Sequence, residues 1–340
     1  MEKQDLIAGF DPNEPALNNG LFGLPFDAEQ SDIHVLPAPW EVTVSYGSGT
    51  AAGPEEILNA SAQVDLYDAK YPKGWQQGVF MLEEDERWRK TGEGLRELAL
   101  EYLHALEIDE VGAEEEKSLD QINDKCTAFH LWVEKRIAQI LDQGKKAVLL
   151  GGDHSTSLGA IRAHKAKFGD FGILQIDAHA DLRPAYEGFN YSHASIMYNV
   201  LKEQLATGLT IVGLRDYCHE EANLIESDPR IHAFTDQEVK AARFEGKNWA
   251  DQVAEIIATL PQQVYLSFDI DGLNPSLCPN TGTPVPGGME LEEVVYLIDA
   301  VKASGRTLIG MDLVEVSPGE DEWDANVGAR ALYTLSNRLS

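Results

Sequence analysis

The chain is poor in cysteine. Cys126, Cys218 and Cys278 are its only three in 340 residues, and none lies in a CxxC spacing. So sparse and dispersed a set excludes a disulfide framework and fits a reducing compartment. Basic residues are scarce as well: 27 Lys+Arg stand against 57 Asp+Glu, a formal net charge of −30. Such a surface repels phosphate backbones and anionic headgroups, so neither nucleic acid nor a membrane is expected as a partner. Long apolar runs are missing, none approaching the roughly 18 residues of a membrane span. The stretch Met1-Glu2-Lys3-Gln4-Asp5 lacks the basic-then-apolar pattern of a secretion signal. These absences lead us to expect a soluble, cytoplasmic protein. With no internal repeat, low-complexity tract or long linker, the sequence reads as a single domain over 1–340, and a hydrophobic content of 43% supplies a sizeable core.

Short apolar runs bounded by turn residues recur along the chain and alternate with helix-period segments, the pattern of a mainly parallel sheet buried on both faces. Eight runs are expected as strands: 33–36, 79–82, 147–150, 173–176, 209–214, 231–234, 264–268 and 308–314. A closed barrel and an open doubly wound sheet both read this way. Pro54, followed by Glu55 and Glu56, predicts a helix start, since proline loses nothing in a first turn and acids there complement the helix dipole. Leu95, Leu98, Ala99, Tyr102, Leu103 and Leu106 have the spacing of an amphipathic helix. They lie in a segment, 82–124, with 15 acidic and five basic residues, which reads as a solvated acidic helical insertion around 83–125.

Three of the runs end in ionisable residues. The run 147–150 leads into Gly151-Gly152-Asp153-His154-Ser155, 173–176 into Asp177-Ala178-His179-Ala180-Asp181, and 264–268 into Asp269-Ile270-Asp271. Ligands bind at the carboxyl edge of α/β sheets, so the three clusters can converge there although distant in sequence. Alternate side chains share a face of an extended chain, which groups Asp177 with His179 and Asp181, and Asp269 with Asp271. Four carboxylates at one centre resist ionisation unless cations lie between them, and two divalent ions balance the charge. Imidazole plus carboxylate without thiolate suits Mn, Fe, Co, Ni or Zn in a reactive site and not a structural zinc. Taken alone, GGDHS also makes a serviceable capped turn from strand to helix.

At these residues the sequence resembles the ureohydrolases, the arginase and agmatinase family. The likeness runs through Gly53-Pro54-Glu55-Glu56-Ile57, GGDHS, Asp177 to Asp181, Ser267 to Gly272, Gly282-Thr283-Pro284 with Gly287-Gly288, and Asp312 to Pro318. The resemblance implies a three-layer α/β/α arginase-like fold with an eight-stranded mainly parallel sheet, and a binuclear centre of two divalent ions, usually Mn2+, with Ni2+ as an alternative. By motif, His154, Asp177, Asp181 and Asp269 would hold one ion, and Asp177, His179, Asp269 and Asp271 the other. A water shared by two such cations loses a proton near neutral pH and can attack a guanidinium carbon. Glu315 matches the acid that grips guanidinium nitrogens, Asp181 can pass a proton to the departing amine, and His193, in Tyr191-Ser192-His193, matches a proton-shuttling histidine. His34, His104, His130, His164, His219 and His232 have no such context and read as packed or solvated side chains.

The expected substrate is a small guanidino compound, with agmatine hydrolysis to putrescine and urea as first choice. Arginases carry an Asn two residues after the DxHxD cluster and an Asp in an LRDxD segment, where this chain has Arg183 and Cys218. Arg183 also resembles the DxHxDxR pattern of formimidoylglutamases, in which arginine suits an anionic tail, unless Glu187 neutralises it. Guanidine, guanidinobutyrate, arginine and formimidoylglutamate therefore stay open, and a single-zinc deacetylase-like amidohydrolase is the competing class. Asn274 stands where the family usually has Asp before proline, a change expected to touch only a loop. By resemblance a homo-oligomer, trimer or hexamer, is expected.

Overall fold

The computed structural model describes residues 2–16 and 20–339. Its strands are β1 (Ile33–Ala38), β2 (Val79–Met81), β3 (Lys146–Gly151), β4 (Gly172–Ile176), β5 (Gly208–Leu214), β6 (Ile231–Thr235), β7 (Gln263–Asp269) and β8 (Thr307–Val314). All eight expected runs are strands, each within a residue or two of the expected bounds. Its helices are α1 (Lys3–Gly9), α2 (Gly53–Ser61), α3 (Glu86–Glu107), α4 (Ala113–Asp142), α5 (Ser157–Phe168), α6 (Ile196–Lys202), α7 (His219–Ser227), α8 (Asp236–Phe244), α9 (Trp249–Thr259), α10 (Leu291–Ala303) and α11 (Trp323–Leu339).

The strands form one open sheet in the order β2-β1-β3-β8-β7-β4-β5-β6. Every pairing is parallel. Alternation within the strands sends consecutive residues to opposite layers. Val148 and Leu150 of β3, with Leu174 and Ile176 of β4 and Val264, Leu266 and Phe268 of β7, pack against α2, α9, α10 and α11. Ala147 and Leu149 pack instead beneath α3 and α4. Ile173, Leu209, Ile211 and Tyr265 meet α5 and α6. Helices on both faces choose the open three-layer architecture over a closed barrel.

The helix expected at Pro54 is α2, with Glu55 and Glu56 in its first turn. The acidic segment divides between α3 and the start of α4. Glu93, Glu97, Glu101 and Glu114 are exposed, as a solvated face requires. The opposite face buries Trp88, Leu95, Ala99 and Tyr102 of α3, and Ile122, Cys126, Phe129 and Val133 of α4. Phe129 stacks on Trp40 at 4.3 Å between ring centroids. The segment is thus packed onto the body of the protein along its whole inner side, because α4 continues past the acidic stretch to the sheet.

Candidate active site

The strand order decides where the chemistry gathers. β3, β8, β7 and β4 are the four central neighbours, and neighbouring strands lie about 4.8 Å apart. Their carboxyl ends deliver His154, Glu315, Asp269 with Asp271, and Asp177 with His179 and Asp181. The ligand atoms of His154, Asp177 and Asp181 all lie within 4.8 Å of one another, as do those of Asp177, His179 and Asp271, so Asp177 belongs to both groups. Asp269 Oδ2 is 3.3 Å from His154 Nδ1. Residues from positions as distant as 154 and 271 meet in one buried cluster.

The grouping expected from extended-chain alternation is present, but its cause differs. Asp181 has a left-handed backbone, φ 53°, and Ile270–Gly272 is a short 3-10 turn. Asx-type hydrogen bonds make these turns: the His179 N–H donates to Asp177 Oδ1 at 2.6 Å and the Asp271 N–H to Asp269 Oδ1 at 2.9 Å. The Ala178 N–H donates to Asp271 Oδ1 at 2.9 Å, tying the second cluster to the third. Gly152 serves close approach as well as turning, since a Cβ there would lie 2.1 Å from Trp40 O.

A test of fit to cations lies in the ring of His154. Ser267 Oγ donates to the Asp312 carboxylate, at 3.0 and 3.1 Å, so it accepts from His154 Nε2–H at 2.9 Å. That holds a proton on Nε2 and turns Nδ1 inward, where a cation would find its lone pair once the ring is neutral, an outer-shell arrangement that orients metal-binding imidazoles. Nδ1 then stands 3.1, 2.9 and 3.3 Å from carboxylate oxygens of Asp177, Asp181 and Asp269, yet it is buried without an aligned hydrogen bond. His179 Nδ1 faces Asp271 Oδ2 at 2.9 Å. Two inward imidazole nitrogens among four carboxylates are a donor set that fits divalent cations.

The electrostatics agree. Burial raises the Asp269 carboxyl well above its ordinary range, helped by Asp271 and Asp177. Burial and the Asp177 charge bring Asp181 to about 7. Burial would lower both imidazoles, but the carboxylates around them push His179 up to about 12 and hold His154 well above its usual value. The cluster balances only when protons supply positive charge at its centre, which is the role two cations would take.

Above the cluster is a cleft of about 140 Å³, into which His179, Asp181, Asp269, Asp271, His193 and Glu315 all project. Glu315 has a left-handed backbone, φ 62°. Its Oε1 accepts from the His154 N–H at 2.8 Å, and burial together with Asp153 raises its carboxyl well above the usual range. Burial and the nearby His179 lower His193 to about 4, so its ring is neutral at pH 7. Arg183 lines the mouth, where its ion-pair partner is Glu221, at 3.6 Å, while its charge also acts on Glu187. Its guanidinium also lies 4.5 Å from the centre of the Tyr186 ring.

Several side chains around the cleft and the cluster gave little sign of themselves in the sequence. Glu221 is buried and binds the Leu182 N–H at 3.0 Å and the Cys218 N–H at 2.9 Å; its only signal is a capping position three residues after Cys218. Ser45 and Tyr186 line the cleft from loops without a residue pattern of their own, and Asp216 lines it from the Leu214–Cys218 segment. Asp312 was visible as the first residue of the family-like stretch Asp312 to Pro318, but its bond to Ser267 was not. Asn274 accepts from the Ser276 N–H at 3.0 Å in a loop, away from the cluster.

Comparison with known proteins agrees with the site. The sequence model of the Arginase family matches residues 31–336. The N(1)-aminopropylagmatine ureohydrolase of Thermus thermophilus is 33% identical over 306 residues, 90% of this chain and 89% of that protein. The agmatinase of Neisseria meningitidis serogroup A is 27% identical over 338 residues, 97% of this chain and 95% of its own. The agmatine ureohydrolase structure from Thermoplasma volcanium superposes with a TM-score of 0.70 at 22% identity, covering 99% of this chain and 97% of that one, and so shares the fold. Family match, fold and the catalytic-edge cluster together make this chain a member of the arginase family, a ureohydrolase of the group whose enzymes use a binuclear metal centre.

Proposed function

We propose that the chain hydrolyses agmatine to putrescine and urea. The observation that carries this reading is the cleft mouth: among the described residues lining it, Arg183 is the one permanent cation, and Glu221 and Tyr186 hold it. With Asp216 also at the mouth, the net charge there favours a cationic tail over the carboxylate of arginine, guanidinobutyrate or formimidoylglutamate. A second reading, N(1)-aminopropylagmatine, is favoured by the name of the relative at 33% identity; it shares the guanidinium and lengthens the cationic tail.

In this reading His154, Asp177, Asp181 and Asp269 hold one divalent ion, and Asp177, His179, Asp269 and Asp271 the other, Mn2+ first and Ni2+ second. Such a pair, when bound, supplies hydroxide near neutral pH. The chain's own groups do the rest. Glu315 receives the guanidinium N–H groups and turns its carbon toward the cluster, an orienting role suited to an electrophile weakened by resonance. Asp181 accepts a proton at its carboxylate and passes it to the leaving amine, and neutral His193 relays protons at the cleft wall. The protein is proposed to act as a soluble, cytoplasmic trimer or hexamer, which light scattering would measure.

The deciding experiment assays agmatine, N(1)-aminopropylagmatine, arginine, guanidinobutyrate, guanidine and formimidoylglutamate after separate Mn and Ni loading, following urea or formamide. The expected result is the highest kcat/KM for agmatine or its aminopropyl derivative. A higher value for guanidine or for any carboxylate-bearing compound overturns the reading.

A further inference from the structure

The helix pair α3–α4 contributes no group to the cluster, yet it grips the loop that carries His193 and a second loop packed against it. Arg96 of α3 donates to the Val42 carbonyl at 3.3 Å, to the Val44 carbonyl, and to Ser48 Oγ at 3.3 Å. Thr43, between those two carbonyls, has its backbone close enough to the His193 ring to act on its charge. Its Oγ1 donates to the Tyr191 carbonyl at 3.5 Å. Ser45, next after Val44, lines the cleft. The far end of this loop is closed by Glu41 Oε2, which accepts from the Gly49 N–H at 2.7 Å and the Ala51 N–H at 3.1 Å.

The second loop is held from α4. Asn123 Nδ2 donates to the Gly188 carbonyl at 3.3 Å, and its Oδ1 accepts from the Asn190 N–H at 2.8 Å. The Tyr102 ring meets Phe189 edge-on at 5.4 Å, and a Cβ on Gly188 would lie 2.7 Å from Tyr102 Oη. This loop needs support, because Ala185 and Glu187 both have left-handed backbones, φ 46° and 54°. Such residues are strained and persist only where their surroundings over-determine them.

We propose that Arg96 and Asn123 are positioning residues: the acidic helix pair clamps the 42–48 and 188–193 loops and thereby sets Ser45 and His193 against the substrate. The clamp reaches neither the substrate nor a metal-ligand candidate directly. Its catalytic meaning rests on the proposed guanidino hydrolysis; the clamp itself does not. A guanidinium suits the task, since its planar fork serves several fixed acceptors where an ammonium serves fewer.

The test compares the wild-type enzyme with Arg96→Ala, Arg96→Lys and Asn123→Ala in the full-length, Mn-loaded protein. Hydrogen exchange of the 42–48 and 188–193 segments is read by mass spectrometry beside metal content, KM and kcat. In Arg96→Ala we expect exchange at least tenfold faster in 42–48, unchanged exchange in β4 and β7, unchanged metal content, and KM for the best guanidino substrate raised at least fivefold. Arg96→Lys should recover part of both effects. Unchanged exchange in the loops, or a lower active fraction with KM unchanged, overturns the proposal. Should Arg96→Ala fail to fold, Asn123→Ala decides alone through the 188–193 segment, because it removes only two hydrogen bonds from a half-buried position. If the wild-type enzyme hydrolyses no guanidino compound, the function reading fails, and the exchange result still decides the clamp.

Discussion

Glu315→Gln separates substrate orientation from assembly of the cluster. The Glu315 N–H donates to the Gly152 carbonyl at 2.8 Å, Thr281 Oγ1 donates to the Glu315 carbonyl at 2.8 Å, and Oε1 receives the His154 N–H at 2.8 Å. Glutamine keeps the backbone bonds, and its amide oxygen can still accept from His154. What changes is the other terminal atom, which becomes an NH2 donor facing the donors of a guanidinium. One charge-assisted hydrogen bond is lost, worth about 1.5–3 kcal/mol, or roughly 10- to 150-fold in kcat/KM. The assay is urea release at saturating and limiting substrate, with metal content measured on the same protein. Metal content should match the wild type. Undiminished kcat/KM would refute the assignment of Glu315 to the guanidinium, and loss of metal would show that the residue supports the cluster instead.

Ser267→Ala removes the hydroxyl that orients His154, so metal affinity should fall about 10- to 100-fold, measured by competition with a chelator; an unchanged affinity would discard the relay from Asp312. For metal-free protein the sign of pH dependence follows from the raised imidazoles. His179 is pushed up to about 12, so its stabilisation is complete below the unfolded value near 6.5 and is lost as pH rises toward 12. His154, also raised, acts in the same direction, while the lowered His193 is neutral in both states above pH 7. Calorimetry should therefore show Tm falling between pH 7 and 9 in chelator and recovering with added Mn2+; a rising Tm in chelator would contradict the charge balance described for the cluster. Gly152→Ala drives a Cβ to 2.1 Å from Trp40 O, an overpacking cost of about 1–3 kcal/mol; urea denaturation showing no loss would mean that the two backbones separate freely.

Local chemistry made much of this protein legible in its sequence. The six inner strands were visible because a strand buried on both faces is largely apolar, the half-exposed edge strands β2 and β6 by short apolar runs between turn residues, and each ionisable cluster because it follows an inner strand without a break. The identity of His154, of Asp177, His179 and Asp181, and of Asp269 and Asp271 is a property of three short stretches, and so is the turn chemistry of Gly152. What those stretches could not contain is their adjacency. The order β3-β8-β7-β4 at the centre of the sheet places clusters separated by more than a hundred residues side by side, and nothing local encodes which strands become neighbours. The same holds for Glu221 against Arg183 and for Arg96 against the loop after β1, contacts of single side chains across 38 and 52 residues. Residue type and spacing determined which groups can do chemistry; long-range packing of the sheet and its helices decided which of them meet, because burial and hydrogen bonding between distant segments are settled only when the whole chain has closed around them.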